Sequence, residues 1–293
     1  MLKKHSIENE FLKISVQETG AELCSIQNKE NEKEYIWQAE PNIWESHAPN
    51  LFPIIGVIKD GAYKYEGKEY SVPKHGFIRH NEKIRLKERS EHQLVFELLY
   101  SQETLEMYPF KFDFRIAFTL NRKSLEVEHH IINLDEKPIY FSLGGHPAFN
   151  ILHFENEKIE DYSLEFDRKM DLDTYLLNED GLVSSKTKSV LRNDQKIQLT
   201  EHIFDNDALI FKNIKSKHVD LISAKNGKIL SVAYKDFKNL GIWAKPGAPY
   251  VCIEPWLGIA DVEGTDQDLK NKEGIVRLAA ENEFNANYTI NIA

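Results

Sequence analysis

The chain has 293 residues, 41% of them hydrophobic, and a formal net charge of −10. That apolar fraction is enough for a large core and excludes a disordered chain. Length alone does not divide it, because all-β sandwiches and barrels run this long as one unit, so residues 1–293 read as a single domain. An acidic surface repels phosphate backbones and anionic lipid, which argues against nucleic acid and membrane and leaves a neutral small molecule open.

The dominant period along the chain is two. Residues 11–16 alternate apolar and polar side chains. Cys24 lies in an apolar, strand-like stretch, as does Cys252; both read as small buried hydrophobes, since a disulfide-stapled secreted chain carries more cysteines. Residues 28–34 form a charged hairpin tip. Residues 63–72 read as a hairpin through Glu66-Gly67-Lys68. Residues 83–87 pair with 94–100, and 112–120 with 125–134, where Leu125, Val127, His129 and Ile131 share a face. A helical turn is expected at 105–108, before Pro109. Residues 138–143 form a strand that runs into the glycines of FSLGGHPAFN. Residues 219–224 and 228–234 flank Asn226-Gly227, a strong hairpin signal because both residues tolerate positive φ. Residues 250–254 and 288–292 complete the strands, and 266–271 is a candidate short helix. Many short strands with frequent turns predict a large all-β sandwich. The N-terminal MLKKHSIENEF lacks the apolar segment of a signal peptide, and no apolar run reaches membrane-spanning length. The expected location is the cytoplasm, as a monomer or homodimer.

Three stretches concentrate chemistry at strand ends. In FSLGGHPAFN, Gly144 and Gly145 permit backbone angles and close approaches that a Cβ blocks, and Pro147 fixes the chain just after His146. KHGFIR presents His75 in the same manner. Of the eleven histidines, these two are the functional candidates. His129 and His130, in mid-strand, read as structural. Glu254 ends the apolar run YVCIE; burial there raises its pKa towards the range of a general base, and Trp256 adds a flat apolar face. Asp207, in FDNDALIF, enters an apolar strand either as a turn cap or as a ligand contact, with Asp205 as its competitor. There is no HExxH, CxxC or His-x-His spacing, so nothing in the sequence supports a metal site. GxGxxG, GxxxxGK[ST] and GxSxG are absent as well.

The segments NLFPIIGVIKDGAYKYEGKEYSVPKHGFIRH, SLGGHPAFN, DALIF and CIEPW occur in the order seen in aldose 1-epimerases (galactose mutarotases), and the chain most resembles their LacX-like subgroup. The resemblance spans the whole chain and implies a β-supersandwich that interconverts the anomers of an aldose without a cofactor. By this resemblance Glu254 is the general base at the C1 hydroxyl and His146 the general acid at the ring oxygen. His75 hydrogen-bonds the sugar, and Asp207 holds its hydroxyls. The family commonly has an arginine where this chain has Val57. Lys59, two residues on in an extended segment, is the expected partial replacement, although lysine lacks the arginine fork. Arg79 resembles an arginine that hexose-6-phosphate 1-epimerases use for phosphate. Two alternatives therefore stand beside the mutarotase reading: a hexose-6-phosphate 1-epimerase relying on Arg79, Lys59 and Lys74, and a sugar-binding sandwich that has lost turnover.

Overall fold

The structure, a computed structural model, describes residues 3–293. Among them, 22 strands form four sheets. Pairings between these strands are antiparallel. The largest sheet has 15 strands. Its path starts at Asn50–Leu51 and Leu143–Gly145, then crosses Tyr250–Leu257, Asn239–Trp243, Leu209–Phe211 and Tyr162–Leu177. It continues through His218–Ser223, Gly227–Ala233 and Glu283–Ile292 to Ser124–Asn133, Phe112–Asn121, Gln93–Leu99 and Arg85–Arg89. Open sheets beyond about 10 strands curl or pack on themselves. The main apolar core, from Ile7 to Ile292, is buried among these sheets and their connections, giving the predicted all-β sandwich.

Alternation builds the core. Leu125, Val127, His129 and Ile131 are each 0% exposed, on the face predicted for them. Across the ladder, Phe112, Phe114 and Ile116 are buried as well. Phe52 is the hub of an aromatic cluster, with ring centroids 5.2–6.0 Å from those of Phe77, Tyr108, Phe112, Phe114 and Phe141. These are the separations of favourable edge and tilted pairs. Phe77 directly follows His75-Gly76, and Phe141 opens the segment that leads to His146. The core thus anchors both histidine-bearing loops.

Several local expectations change. The strand expected at 138–143 is two strands. Ile139–Phe141 pairs with Val276–Leu278, whereas Leu143–Gly145 joins the large sheet. At the Asn226-Gly227 turn, only Gly227 takes positive φ (77°). The Glu66-Gly67 turn matches its prediction, with φ of 50° and 77°. The helical turn before Pro109 is a helix at Gln102–Met107, capped reciprocally by Ser101 and Thr104. The candidate helix at 266–271 shrinks to a single 3₁₀ turn, Leu269–Asn271. Two strands of 16 residues, Tyr162–Leu177 and Val183–Gln198, have no counterpart in the sequence reading. No described helix is long and apolar enough to cross a membrane.

Candidate active site

Every residue of the strand Tyr250–Leu257 is buried. Its alternation puts Cys252, Glu254 and Trp256 on one face. The neighbouring strands make room with glycine. Gly241 lies opposite Glu254, and a Cβ there would come within 2.4 Å of the Trp256 ring. Gly144 lies opposite Trp256, where a Cβ would be 2.7 Å from the Pro255 carbonyl oxygen. At Gly145 it would be 2.8 Å from Tyr288. Gly144 and Gly145 are therefore required for close approach, and neither adopts positive φ.

His146 follows directly, its backbone N–H donating to the Pro49 carbonyl at 2.9 Å. The imidazole Nε2 stands 3.2 Å from Glu254 Oε2, although that oxygen has no aligned hydrogen-bond partner. Trp44 stacks on the imidazole at 5.1 Å, and Trp243 meets it edge-on at 5.9 Å. His75 is held more rigidly. Its backbone has φ of +68° and its N–H donates to the Gly56 carbonyl at 2.8 Å. Its Nδ1 accepts the Gly56 N–H at 3.1 Å, which leaves Nε2 as the protonated, donating nitrogen of a neutral ring. Its ring meets His146 edge-on at 5.6 Å.

Burial governs the protonation of all three groups. Loss of solvent pushes the Glu254 carboxyl well above its usual range, and the nearby Asp207 carboxylate adds to this, while Lys74 and Arg79 oppose it. Burial, helped by Arg79, pushes His146 down to about 3. Burial likewise holds His75 well below its ordinary value, with His146, Lys74 and Arg79 adding to the effect. The cavity thus favours an uncharged Glu254–His146 pair that holds one proton between its two members.

These groups line one cavity of about 210 Å³. That is below the roughly 300–1,000 Å³ of sites for drug-sized ligands, and it suits a single sugar ring. His75, Arg79, His146, Asp207 and Glu254 all contribute to its wall. Asp207 has φ of +71° and caps its own turn by accepting the Ala208 N–H at 2.7 Å, so it is a turn cap that also faces the cavity. Asp205 pairs instead with His202 at 3.0 Å. Arg79 donates to Ser46 Oγ at 3.0 Å and lies 5.9 Å from the Trp44 ring. Val57 lines the cavity, but Lys59 does not. The expectation for Lys59 assumed unbroken extended chain. A 3₁₀ turn begins there, with the Lys59 N–H bound to Asp261 Oδ2 at 3.0 Å. The lysine that does reach the wall is Lys74.

Trp44 and Trp243, which flank His146, lie outside the three motif-bearing stretches of the sequence. An aromatic within the polar loop PNIWESHAPN was the available signal for Trp44. No sequence spacing marks a further donor cluster: His146, Cys252 and Glu254 each place one potential ligand atom within 4.8 Å of the others.

The aldose 1-epimerase family profile matches residues 3–261. The chain is 33% identical to the plasmid-encoded protein LacX of Lactococcus lactis subsp. lactis over 98% of both chains. It superposes on a galactose mutarotase related enzyme from Lactobacillus acidophilus with a TM-score of 0.94 and 33% identity, covering 99% of this chain and 97% of that one. A galactose mutarotase-like protein from Lactobacillus casei gives a TM-score of 0.93 at 27% identity, covering 99% of this chain and 100% of the other. The chain belongs to the aldose 1-epimerase family. For this epimerase-family member, the β-supersandwich and the LacX-like resemblance expected from the motifs both hold. The matched region contains all six residues singled out as site candidates, Lys59 included. It ends at Asp261, before Lys272, whose ammonium lies 2.5 Å from the Asp261 carboxylate.

Proposed function

We propose that the protein is an aldose 1-epimerase that interconverts the α and β anomers of an aldohexose. The observation behind this reading is the 3.2 Å approach of Glu254 to His146 inside a sugar-sized cavity. The two oxygens of a cyclic hemiacetal are bonded to the same carbon, so two groups this close can each serve one of them.

In this mechanism Glu254 accepts the proton of the C1 hydroxyl while the imidazolium of His146 protonates the ring oxygen. The C1–O5 bond breaks and the open aldehyde forms. Rotation about C1–C2 presents the other carbonyl face. Closure then returns the proton from Glu254 to O1 and takes one from the O5 hydroxyl back to His146. Ring opening leaves the uncharged pair, which is the form that burial favours. The reactive ion pair is supported by attraction between opposite charges at 3.2 Å and by Trp44 stacked on the imidazole. His75 donates Nε2–H to a sugar hydroxyl, Asp207 accepts from another, and Trp243 and Trp256 cover apolar C–H faces. One carboxylate and one imidazole supply the whole proton transfer, so the reaction needs no cofactor.

Polarimetry starting from pure α-anomer tests this. Wild type is expected to accelerate equilibration, and Glu254→Gln and His146→Ala are each expected to lose roughly 100- to 10,000-fold. Turnover that survives both changes overturns the role assignment. Lys74 and Arg79 place two cations at the cavity, which favours a second reading with a 6-phosphorylated hexose as substrate. A higher kcat/KM for the free hexose than for its phosphate rejects it. Sugar binding by calorimetry without acceleration of any aldose would instead support a binding protein, in line with Val57 at the arginine position.

A further inference from the structure

We propose that His146, Cys252 and Glu254 form a binding site for a borderline-soft divalent cation of the zinc type. One nitrogen, one sulfur and one oxygen donor lie within 4.8 Å of one another. Their residues are 7%, 0% and 1% exposed, respectively. Zinc binds imidazole, thiolate and carboxylate at about 2.0–2.3 Å in a tetrahedron, which sets its donors about 3.3–3.8 Å apart. The 3.2 Å between His146 and Glu254 is already close to that spacing. No donor has to leave an internal partner, because Glu254 Oε2 makes no hydrogen bond and Cys252 is a free thiol. The strand places Cys252 two residues before Glu254 on the same face, and Cys252 itself does not line the cavity. Three protein donors leave a fourth position open to the cavity, where a water or a sugar hydroxyl completes the shell.

The donor set also selects the ion. Magnesium and calcium take oxygen shells, and a site with sulfur and nitrogen discriminates against them. Arg79 and Lys74 disfavour an added cation and Asp207 offsets one of them, so the site is weaker than a closed structural zinc centre. An ion bound here engages the lone pairs that move the protons. Given the reading of Glu254 and His146 as the proton-transfer pair, zinc is therefore an inhibitor of the sugar reaction.

The test titrates metal-free full-length protein with Zn²⁺ against a chromogenic chelator, comparing wild type with Cys252→Ala and the near-isosteric Cys252→Ser. Circular dichroism and melting confirm that the variants fold. One zinc per wild-type chain is expected, with at least tenfold weaker binding in both variants. Both variants keep sugar turnover and lose its inhibition by zinc. Wild type binding no more tightly than folded Cys252→Ala or Cys252→Ser, or no stoichiometric binding in wild type, overturns the site. Binding is read without catalysis, so the two readings fail separately. Cys252-dependent zinc binding without turnover keeps the metal site and removes the epimerase; turnover without zinc binding does the reverse.

Discussion

Glu254 and His146 are each buried in a setting that favours the uncharged form, and together they hold one proton. The pair takes up a second proton only as pH falls through the depressed value of His146, about 3. It loses its last proton only as pH rises through the elevated value of Glu254. The rate profile therefore reports the pair, not an isolated imidazole. We expect kcat/KM, corrected for the spontaneous reaction, to show no acid limb near 6.5, the value of an unperturbed histidine. An acid inflection near 6.5 would show that His146 titrates as a solvated ring and that the shared-proton account is wrong. His75 plays a different part, because the Gly56 N–H fixes its tautomer and makes it a donor throughout this range.

At the level of elements, the site depends on how closely the strand Leu143–Gly145 lies against Tyr250–Leu257. A Cβ on Gly144 would sit 2.7 Å from the Pro255 carbonyl oxygen and 2.8 Å from Trp256. Gly144→Ala is expected to cost about 1–3 kcal/mol by overpacking, and to lower kcat because the strand bearing Glu254 must shift. Urea unfolding and polarimetry check the two effects; unchanged values in both would mean that the strands yield freely. The elements legible in the sequence were those with clean alternation or an explicit turn, such as Ser124–Asn133 and the Glu66-Gly67 hairpin. Tyr162–Leu177 and Val183–Gln198 were not legible. Register shifts interrupt their pairing near Met170, Leu172 and Asp173, and most of Val183–Gln198 faces solvent. A bulge reverses which residues face inward, so no period of two survives in the sequence.

Across the whole molecule, distant segments are tied to one cavity. Phe52 joins the loops of both histidines through the aromatic core. Lys272 pairs with Asp261 at 2.5 Å, both side chains 4% exposed. Asp261 in turn accepts the Lys59 N–H, and its own N–H donates to the Val57 carbonyl at 2.9 Å. Lys272→Met leaves a buried carboxylate without its counter-ion and is expected to destabilise the fold by about 3–5 kcal/mol. The double variant Asp261→Asn/Lys272→Met is expected to recover much of that loss, because it removes the unpaired charge. Denaturant midpoints for the two variants decide this; a single variant as stable as wild type contradicts the role of the pair. Lys272 was illegible as a support, because a lysine and an aspartate 11 residues apart in polar loop sequence carry no signal that both are buried. Trp44, Trp243 and Cys252 share that difficulty. Their place beside His146 is set by loops and sheet order, whereas Glu254, His146, His75 and Asp207 carried turn or strand-end signals of their own.

The most direct measurement is a crystal structure of Glu254→Gln soaked with an aldohexose. The sugar O1 is expected within about 2.6–3.2 Å of the residue 254 side chain and the ring oxygen within the same reach of His146 Nε2. A sugar bound with its anomeric carbon turned towards Lys74 and Asp207, leaving residue 254 and His146 against other hydroxyls, would contradict it.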